Sequence, residues 1–275
     1  MNQWNLPLLA ITTVKNCSVN CYPYCPQLKF REVYGDRGNI LSYADFETAL
    51  SHTPKEVTIG FEGFAEPFLN SRCMDMIELT KKEGHRIMLF STFVGAKPDD
   101  IKRLRDVNLD WFCLHLPDDQ GIAQIPLTDT YKETLAQAFR TLRIDDYSRM
   151  TSTFISNQRA GNCEGAPPHH VRGPFYCTKL VKPEPLMLPN CDLVLCCMDW
   201  TMRHVLGNLK KQTFDEITHS EIYKEIASNR WKMDGTTLCR SCRFAWSLPK
   251  KAVYEVGRKG YLFSMDKLNL HVGNV

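Results

Sequence analysis

The stretch LLAITTVKNCSVNCYPYCP, residues 8–26, decides how the fold is interpreted. Its first part, residues 8–14, is apolar and rich in β-branched side chains, and it predicts a strand. Three cysteines follow in the spacing C-x3-C-x3-C, namely Cys17, Cys21 and Cys25. Three thiolates on a short loop can hold three irons of a [4Fe–4S] cluster and leave the fourth iron open to a small molecule. A zinc site is the alternative for this loop.

Composition narrows the class of protein. The chain has 275 residues, 43% hydrophobic content and a formal net charge of only +3, so we expect neither a nucleic-acid partner nor a polybasic membrane tail. The N-terminus lacks the pattern of a signal peptide and no segment is apolar enough for a bilayer span, so we expect a cytoplasmic protein. Twelve cysteines in that compartment indicate metal or cluster ligands better than disulfides.

Further strands and helices alternate along the first half of the chain. Strands are predicted at residues 8–14, 56–61, 86–92, 110–116 and 150–156. Helices are predicted from a cap at Ser42, over the apolar positions between 69 and 84, from Pro98, and from a capping box of Thr130 and Glu133 with Phe139 on its apolar face. This alternation predicts an α/β fold with a parallel sheet, whose strands carry functional residues at their carboxyl ends.

The pattern changes within residues 157–173, which are rich in Gly, Pro, Asn and His. We therefore expect two domains, residues 1–160 and residues 161–275. The second half contains short strand-like pieces at 186–188 and 193–197, and one helix from the capping pair Thr213 and Glu216 to Ile226. Its six cysteines are Cys177, Cys191, Cys196, Cys197, Cys239 and Cys242. A zinc site with four cysteine ligands and an iron–sulfur cluster both suit the terminal C-x-x-C.

Several motifs, taken together, resemble the radical S-adenosylmethionine (SAM) superfamily. The loop C-S-V-N-C-Y-P-Y-C is similar to that family's C-x3-C-x2-C signature, with Tyr24 as the aromatic residue before the last cysteine and Pro23 as one added residue. The turn G-F-A-E-P, residues 63–67, resembles the family's G-x-G-E-P element, and F-S-T-F-V-G, residues 90–95, resembles its T-N-G turn. Residues 114–118 look like the family's fourth strand end. The resemblance implies a TIM-like partial (β/α) barrel.

The resemblance also implies roles for individual residues. It assigns Cys17, Cys21 and Cys25 to a SAM-binding [4Fe–4S] cluster, and the remaining cofactor-binding positions are Tyr24, Gly63, Glu66, Pro67, Ser91, Thr92 and His115. Glu66 would pair with the SAM ammonium group, and Ser91 and Thr92 would reach its ribose or carboxylate. The alternatives are a solvent-facing Glu66 at the start of a helix and a structural His115.

The second half resembles the SPASM/twitch auxiliary domain of radical SAM enzymes. Nineteen residues after Cys177 comes Cys196, then Gly207-Asn208-Leu209, a helix followed by Arg230, and Cys239-x-x-Cys242. Because cysteines are absent after Cys242, the resemblance implies the shorter, twitch-type form with one auxiliary [4Fe–4S] cluster. Its ligands would be Cys177, Cys196, Cys239 and Cys242. Cys197 points to the opposite face from Cys196, Cys73 and Cys113 are expected in the core, and Cys163 is unassigned.

The implied activity is reductive cleavage of SAM to a 5′-deoxyadenosyl radical that abstracts a substrate hydrogen atom. An auxiliary cluster would allow net oxidation, as in a dehydrogenase acting on an alcohol or carbohydrate-like molecule. Gln158-Arg159-Ala160-Gly161-Asn162 resembles a turn of such enzymes, so Arg159 is a candidate catalytic residue; a linker arginine on a surface carboxylate is the alternative. A peptide-modifying radical SAM enzyme and a zinc-binding interaction module remain open. The partners would be a small-molecule or peptide substrate and a reductase, flavodoxin or ferredoxin as electron donor.

Overall fold

Strands and helices alternate through the first half of the chain, as the apolar pattern predicts. The computed structural model describes residues 7–21, 24–118, 121, 123–149, 159–163 and 168–267. The strands are β1 Leu8–Ile11, β2 Thr58–Phe61, β3 Ile87–Ser91, β4 Trp111–Leu116, β5 Asp146–Arg149, β6 Phe175–Tyr176, β7 Leu186–Met187, β8 Asp192–Val194, β9 Val205–Asn208 and β10 Trp246–Ser247. The helices are α1 Gln27–Tyr34, α2 Tyr43–Ser51, α3 Cys73–Lys82, α4 Pro98–Val107, α5 Asp129–Thr141, α6 Thr178–Val181, α7 Phe214–Thr218, α8 Glu221–Ser228 and α9 Leu248–Lys267.

One sheet joins both halves of the chain. Its strand order is β5-β4-β3-β2-β1-β7-β8-β9, with β1 to β5 parallel and β7 parallel to β1. Strands β8 and β9 extend this edge in antiparallel pairing, and β6 pairs separately with β10. The prediction of an α/β fold with a parallel sheet is confirmed. The division at residue 160 stays a prediction, and the sheet continues across it.

The two faces of the sheet differ in what covers them. Alternate strand residues such as Leu9, Ile59 and Phe112 are buried in a large core together with the apolar faces of α2, α3 and α4. The opposite face of β1, β7 and β8 packs against Phe30 and Tyr34 of α1 in a smaller core. Because successive side chains of a strand alternate between faces, the remaining residues of β2 to β5 point away from the large core. This inner face carries the candidate site.

Two predicted helix starts have different outcomes. The start at Ser42 agrees with the structure, whereas the start at Thr130 does not. The Ser42 cap is confirmed, because its side chain accepts a hydrogen bond from the Asp45 amide. The predicted capping box of Thr130 and Glu133 is wrong. Thr128, two residues earlier, caps α5 by accepting a hydrogen bond from the Tyr131 amide. Phe139, predicted on the apolar face, is 48% exposed.

Two further predictions concern one strand and one helix. The predicted strand at 150–156 lies outside the described residues, and β5 is found at Asp146–Arg149 instead. The single helix predicted from Thr213 to Ile226 is two helices, because Ser220 accepts from the Tyr223 amide and starts α8 anew. The capping box of Thr213 and Glu216 is confirmed at the start of α7.

The described helices include none whose length and apolar character would allow it to cross a bilayer.

A buried arginine connects the segments of the second half. Arg240, between the last two cysteines, is 1% exposed. Its guanidinium donates four hydrogen bonds to backbone carbonyls, those of Val171, Gly173, Asn229 and Lys232. Its planar group also lies 5.1 Å from the centre of the Phe175 ring. The C-x-x-C turn is therefore held in place by a charge that satisfies four acceptors at once.

We predict that Arg240→Met lowers the free energy of unfolding by about 3–5 kcal/mol, because two buried and two partly buried carbonyls lose their donor. Thermal unfolding of the reconstituted protein measures the change as a lower midpoint. Lys211→Met, at an exposed position of the same half, is the control and leaves the midpoint within about 1 °C. Equal midpoints for the two variants would contradict the role given to Arg240.

Candidate active site

The first cysteine loop begins at the carboxyl end of β1 and curls back on itself. Within it the Cys25 amide donates to the Cys21 carbonyl at 2.8 Å. The Glu66 amide, from the loop after β2, donates to the Cys17 sulfur at 3.4 Å. The charges of Cys17 and Cys21 both raise the pKa of Cys25, so the three thiols face one another. Residues 22 and 23, which include the added Pro23, lie outside the described part.

Burial dominates the chemistry of these three thiols. Loss of hydration raises the pKa of Cys17, brings the pKa of Cys21 to about 12, and raises the pKa of Cys25 well above its ordinary value. Without a cation the thiols would stay protonated, whereas a bound metal deprotonates its thiol ligands outright. All twelve cysteines are free of disulfides. A convergent, reduced and desolvated set of three sulfurs fits three corners of an iron–sulfur cluster.

The turn of residues 63–67 passes close to β1, and its first residue has to be glycine. Gly63 has φ +109°, and a Cβ there would lie 2.6 Å from Thr12 Oγ1 and 3.1 Å from the Ile11 carbonyl oxygen. Gly95 has the same constraint, because a Cβ would lie 2.5 Å from the Phe68 carbonyl oxygen. The two glycine-containing turns after β2 and β3 therefore approach neighbouring backbone in a way that other residues cannot. Pro67 begins the short 3-10 helix Pro67–Leu69 that closes the first turn.

Glu66 is buried and fully hydrogen-bonded. One carboxylate oxygen accepts from the Ser91 hydroxyl at 2.6 Å and from the Phe68 amide at 3.3 Å. The other oxygen accepts from the Thr92 amide at 2.7 Å and from the Thr92 hydroxyl at 2.6 Å. Burial raises the pKa of Glu66, and these hydrogen bonds oppose that shift. The alternative of a solvent-facing Glu66 is wrong, since the residue is 6% exposed.

The structure thus brings Glu66, Ser91 and Thr92 into one network at the ends of β2 and β3. Their predicted contacts with SAM stay predictions. Sequence reasoning missed that the two hydroxyls bind Glu66, because the pairing depends on the closeness of two strand ends that are 25 residues apart.

His115 lies on the inner face of the sheet, at the carboxyl end of β4. Its ring centre is 6.0 Å from that of Phe90, and its register partner on β5 is Ser148. Burial lowers the pKa of His115 to about 4, with a further lowering by the charge of Arg159. The imidazole is therefore neutral at physiological pH and can offer one donor and one acceptor.

Arg159 is held against the first cysteine loop by an unusual backbone. Arg159 and Ala160 have φ of 44° and 53°, in the left-handed region that non-glycine residues rarely adopt. The guanidinium carbon of Arg159 lies 4.3 Å from the centre of the Tyr24 ring. The Asn162 side chain donates to the Arg159 carbonyl at 2.7 Å and to the Met198 carbonyl at 3.3 Å. Strain of this kind, about 1–3 kcal/mol per residue, is often kept where function requires it.

The second cysteine group converges in the other half of the chain. Cys177, Cys196, Cys239 and Cys242 are each 5–7% exposed. The charge of Cys177 raises the pKa of both Cys239 and Cys242, and that of Cys239 raises the pKa of Cys196. The four sulfurs are thus near neighbours in a desolvated site, as four ligands of one cluster would be.

The five remaining cysteines lie in different environments. Cys191 occupies a turn with φ 68°, and its sulfur lies 3.8 Å from the Asp45 carbonyl on α2. Cys163 donates to the Tyr24 carbonyl at 3.3 Å. Burial raises the pKa of Cys197, and the charge of Lys179 opposes that shift. Cys73 and Cys113 are buried in the core, as expected.

Among the described residues, no three or more His, Cys, Asp or Glu side chains are placed to share a single metal ion. A cavity of about 620 Å³ lies beside the first loop, and Cys17, Asn20 and Arg31 contribute to its wall.

Residues 186–243 match the SPASM family, described as an iron–sulfur cluster-binding domain. The second half of the chain therefore contains a segment of the SPASM type. The matched SPASM domain includes Cys191, Cys196, Cys197, Cys239 and Cys242, and Cys177 precedes it. The resemblance of the second half to a SPASM-type domain is therefore confirmed, and the ligand roles of its cysteines stay predictions.

Two solved structures are similar to this SPASM-containing chain. BtrN in complex with AdoMet and 2-DOIA aligns over 90% of this chain and 95% of its own, with a TM-score of 0.62 and 13% identity. Native anSMEcpe with bound AdoMet and the Cp18Cys peptide aligns over 86% of each chain, with a TM-score of 0.51 and 11% identity. At these identities the likeness shows the fold. None of the curated proteins matches the sequence significantly.

We predict that Glu66→Gln lowers the free energy of unfolding by about 1–3 kcal/mol, because its amide group would face hydrogen-bond donors at one of the two oxygen positions. Urea unfolding of the reconstituted protein measures the loss. Glu47→Gln, at an exposed position on α2, is the matched control and changes stability by less than about 0.5 kcal/mol. An unchanged stability for Glu66→Gln would show that the network contributes nothing.

Protonation of His115 supplies a pH-dependent prediction. Its folded pKa of about 4 is below the unfolded value, so its contribution to stability is present above about pH 6.5 and is lost as the pH falls. Between pH 7.5 and 5.5 we expect a loss of about 1 kcal/mol that is missing in His115→Gln. Thermal unfolding of both proteins at the two pH values measures it. The same pH dependence in the variant would contradict the buried, neutral imidazole.

Proposed function

We propose that this chain is a radical SAM enzyme that removes a hydrogen atom from its substrate, with net oxidation of an alcohol or carbohydrate-like molecule. The observation that carries the proposal is the convergence of three largely desolvated thiols beside the turn of Gly63 and the Glu66 network, at the carboxyl ends of adjacent parallel strands. A second convergent set of four thiols within and next to the SPASM domain supports an auxiliary cluster. When bound, the first cluster with SAM supplies a 5′-deoxyadenosyl radical, and the second supplies a one-electron acceptor.

The protein residues would position the reactants. Cys17, Cys21 and Cys25 would hold the first cluster, and the absence of a side chain at Gly63 keeps the turn close to β1. Glu66 connects the ends of β2 and β3, so a ligand bound there meets a rigid backbone.

Other residues would bind the auxiliary cluster or contact the substrate. The four thiols Cys177, Cys196, Cys239 and Cys242 would saturate the auxiliary cluster. Arg159, placed over Tyr24, would hold a substrate oxygen or assist the loss of its proton. The neutral imidazole of His115 would donate to or accept from the substrate without adding charge. The buried inner face excludes water from the reacting atoms.

The proposal also covers the type of substrate, the cellular compartment and the electron donor. The likeness to BtrN, whose structure contains 2-DOIA, has the higher TM-score and favours a small molecule. The likeness to anSMEcpe with its bound peptide keeps peptide modification as the second candidate. Thiols must stay reduced to ligate iron, which fits the cytoplasm and a flavodoxin, ferredoxin or other reductase as electron donor.

The decisive experiment is anaerobic reconstitution with iron and sulfide. We expect about eight irons per chain for two [4Fe–4S] clusters, and formation of 5′-deoxyadenosine from SAM after reduction. Cys21→Ala should abolish that product and lower iron to about four per chain, and Cys239→Ala should also lower iron to about four. Iron is measured colorimetrically and 5′-deoxyadenosine by liquid chromatography.

Cys73→Ala is the control, because Cys73 is buried on α3 and outside both thiol groups. It should retain the iron content and the SAM cleavage of the wild type. A wild-type protein that holds zinc in place of iron, or that holds about eight irons and never cleaves SAM, would overturn the proposed function.

A further inference from the structure

The cavity beside the first cysteine loop carries a positive charge that the protein does not neutralise. Cys17, Asn20, Arg31 and Gln124 contribute to its wall, together with the exposed Leu28. Within the described ranges, the Arg31 side chain makes no hydrogen bond or ion pair, and the residues of the wall include no carboxylate. A guanidinium whose five N–H donors are free of protein partners favours an anion that accepts several of them at once.

The chain around this cavity is also positively charged. Residues 15–37 form the first cysteine loop and α1, and they contain four basic side chains and two acidic ones: Lys15, Lys29, Arg31 and Arg37 against Glu32 and Asp36. None of these six side chains forms an ion pair with a residue that the structure describes. Lys15 and Arg37 donate to backbone carbonyls, which do not neutralise their charge. The segment therefore attracts an acidic partner by its net charge as well as at Arg31.

Other sides of the first cysteine loop are covered by protein. The turn after β2 lies on one side, where the Glu66 amide donates to the Cys17 sulfur at 3.4 Å. The segment of residues 159–163 lies on another side, with Arg159 over the Tyr24 ring and Cys163 donating to the Tyr24 carbonyl. The cavity is thus a side from which a large molecule can approach a thiol of the first group.

Leu28 supplies an apolar contact beside the unpaired charge. Its side chain is 63% exposed on α1, three residues before Arg31, so both side chains lie on the same face of the helix. Protein interfaces combine an apolar centre with charged contacts around it, and arginine is enriched in them. Complexes between electron-transfer proteins are among the smallest interfaces, below about 1,200 Å² of buried surface. One apolar and one charged contact at a cavity edge suit an interface of this size.

We propose that the surface of Leu28, Arg31 and the adjoining cavity is the docking site of an acidic electron-donor protein. This inference rests on the proposed function, because a cluster held by the first cysteine loop has to receive one electron from outside before SAM is cleaved. A carboxylate of the donor binds the Arg31 guanidinium, and an apolar side chain of the donor covers Leu28. The donor is oxidised by one electron and the cluster is reduced by one, and no bond forms or breaks. Electron transfer slows steeply with distance, so docking beside Cys17 favours a fast reaction.

The test measures how tightly two acidic donors, a flavodoxin and a ferredoxin, bind the reconstituted protein with SAM in anaerobic calorimetry. For at least one donor, Arg31→Gln should weaken the affinity about tenfold at low ionic strength, while Arg31→Lys should stay within about threefold of the wild type. Salt at about 0.5 M should weaken the wild-type affinity and shrink the difference between wild type and Arg31→Gln. Leu28→Asp adds a negative charge to the same surface and should weaken binding by about tenfold or more.

Two controls separate docking from other effects of the charge. Arg86→Gln removes the same charge at an exposed position before β3, at the amino end of the parallel strands, and should bind the donor as the wild type does. Photoreduced 5-deazaflavin is a small reductant that needs no docking surface. It should reduce the clusters of the wild type and of Arg31→Gln equally, as followed by electron paramagnetic resonance.

The docking site is overturned if neither donor binds the wild type, if Arg31→Gln binds as tightly as the wild type, or if Arg86→Gln loses as much affinity. It is also overturned if inorganic phosphate binds at Arg31 while the donors do not, because the cavity would then serve a small anion. Formation of 5′-deoxyadenosine by the deazaflavin-reduced wild type is measured separately. Its absence would sink the proposed function, whereas the calorimetric affinities decide the docking site on their own.

Discussion

Removal of thiol groups from water is the constraint on which the site depends. Seven cysteine side chains lie in two desolvated groups, and burial raises the pKa of every one of them. Buried thiols are stable either as neutral groups or as metal ligands, and a neutral group needs no convergence of sulfurs. Their convergence in two sets fits a role in which the cations of a cluster supply the charge that water no longer can.

One sheet connects the two distant cysteine groups. Strand β7, from the second half of the chain, pairs in parallel with β1, whose carboxyl end begins the first cysteine loop. Strands β8 and β9 continue from β7, and Cys196 follows β8 by two residues. The backbone hydrogen bonds of one sheet thus set the separation of the two groups. The Asn162 side chain adds a further link, because it donates hydrogen bonds to the carbonyls of Arg159 and Met198.

Much of this arrangement could be predicted from residue patterns, because local rules govern it. Helix caps at Ser42 and Thr213, the apolar faces of α3 and α4 and the strands β1 to β4 follow from periodicity and capping chemistry. The position of β5 and the start of α5 were less predictable. For α5, Thr128 and Thr130 offer the same hydroxyl group, and only the tertiary structure determines which of them caps the helix. Arg240 is missed for a similar reason, because its four acceptors come from segments up to 69 residues away.

The two glutamates beside Gly63 show the same limit within the site itself. The sequence motif points to Glu66, because the residue precedes a proline in a familiar turn. In the folded chain the end of β3 supplies Glu66 with three hydrogen bonds, so the carboxylate stabilises the joint between two strands. Glu62 is outside the motif; burial raises its pKa, and the charges of Lys179 and Arg159 oppose that shift. The same residue type therefore has different surroundings at two positions four residues apart, and only the fold of the chain brings the donors of β3 to one of them.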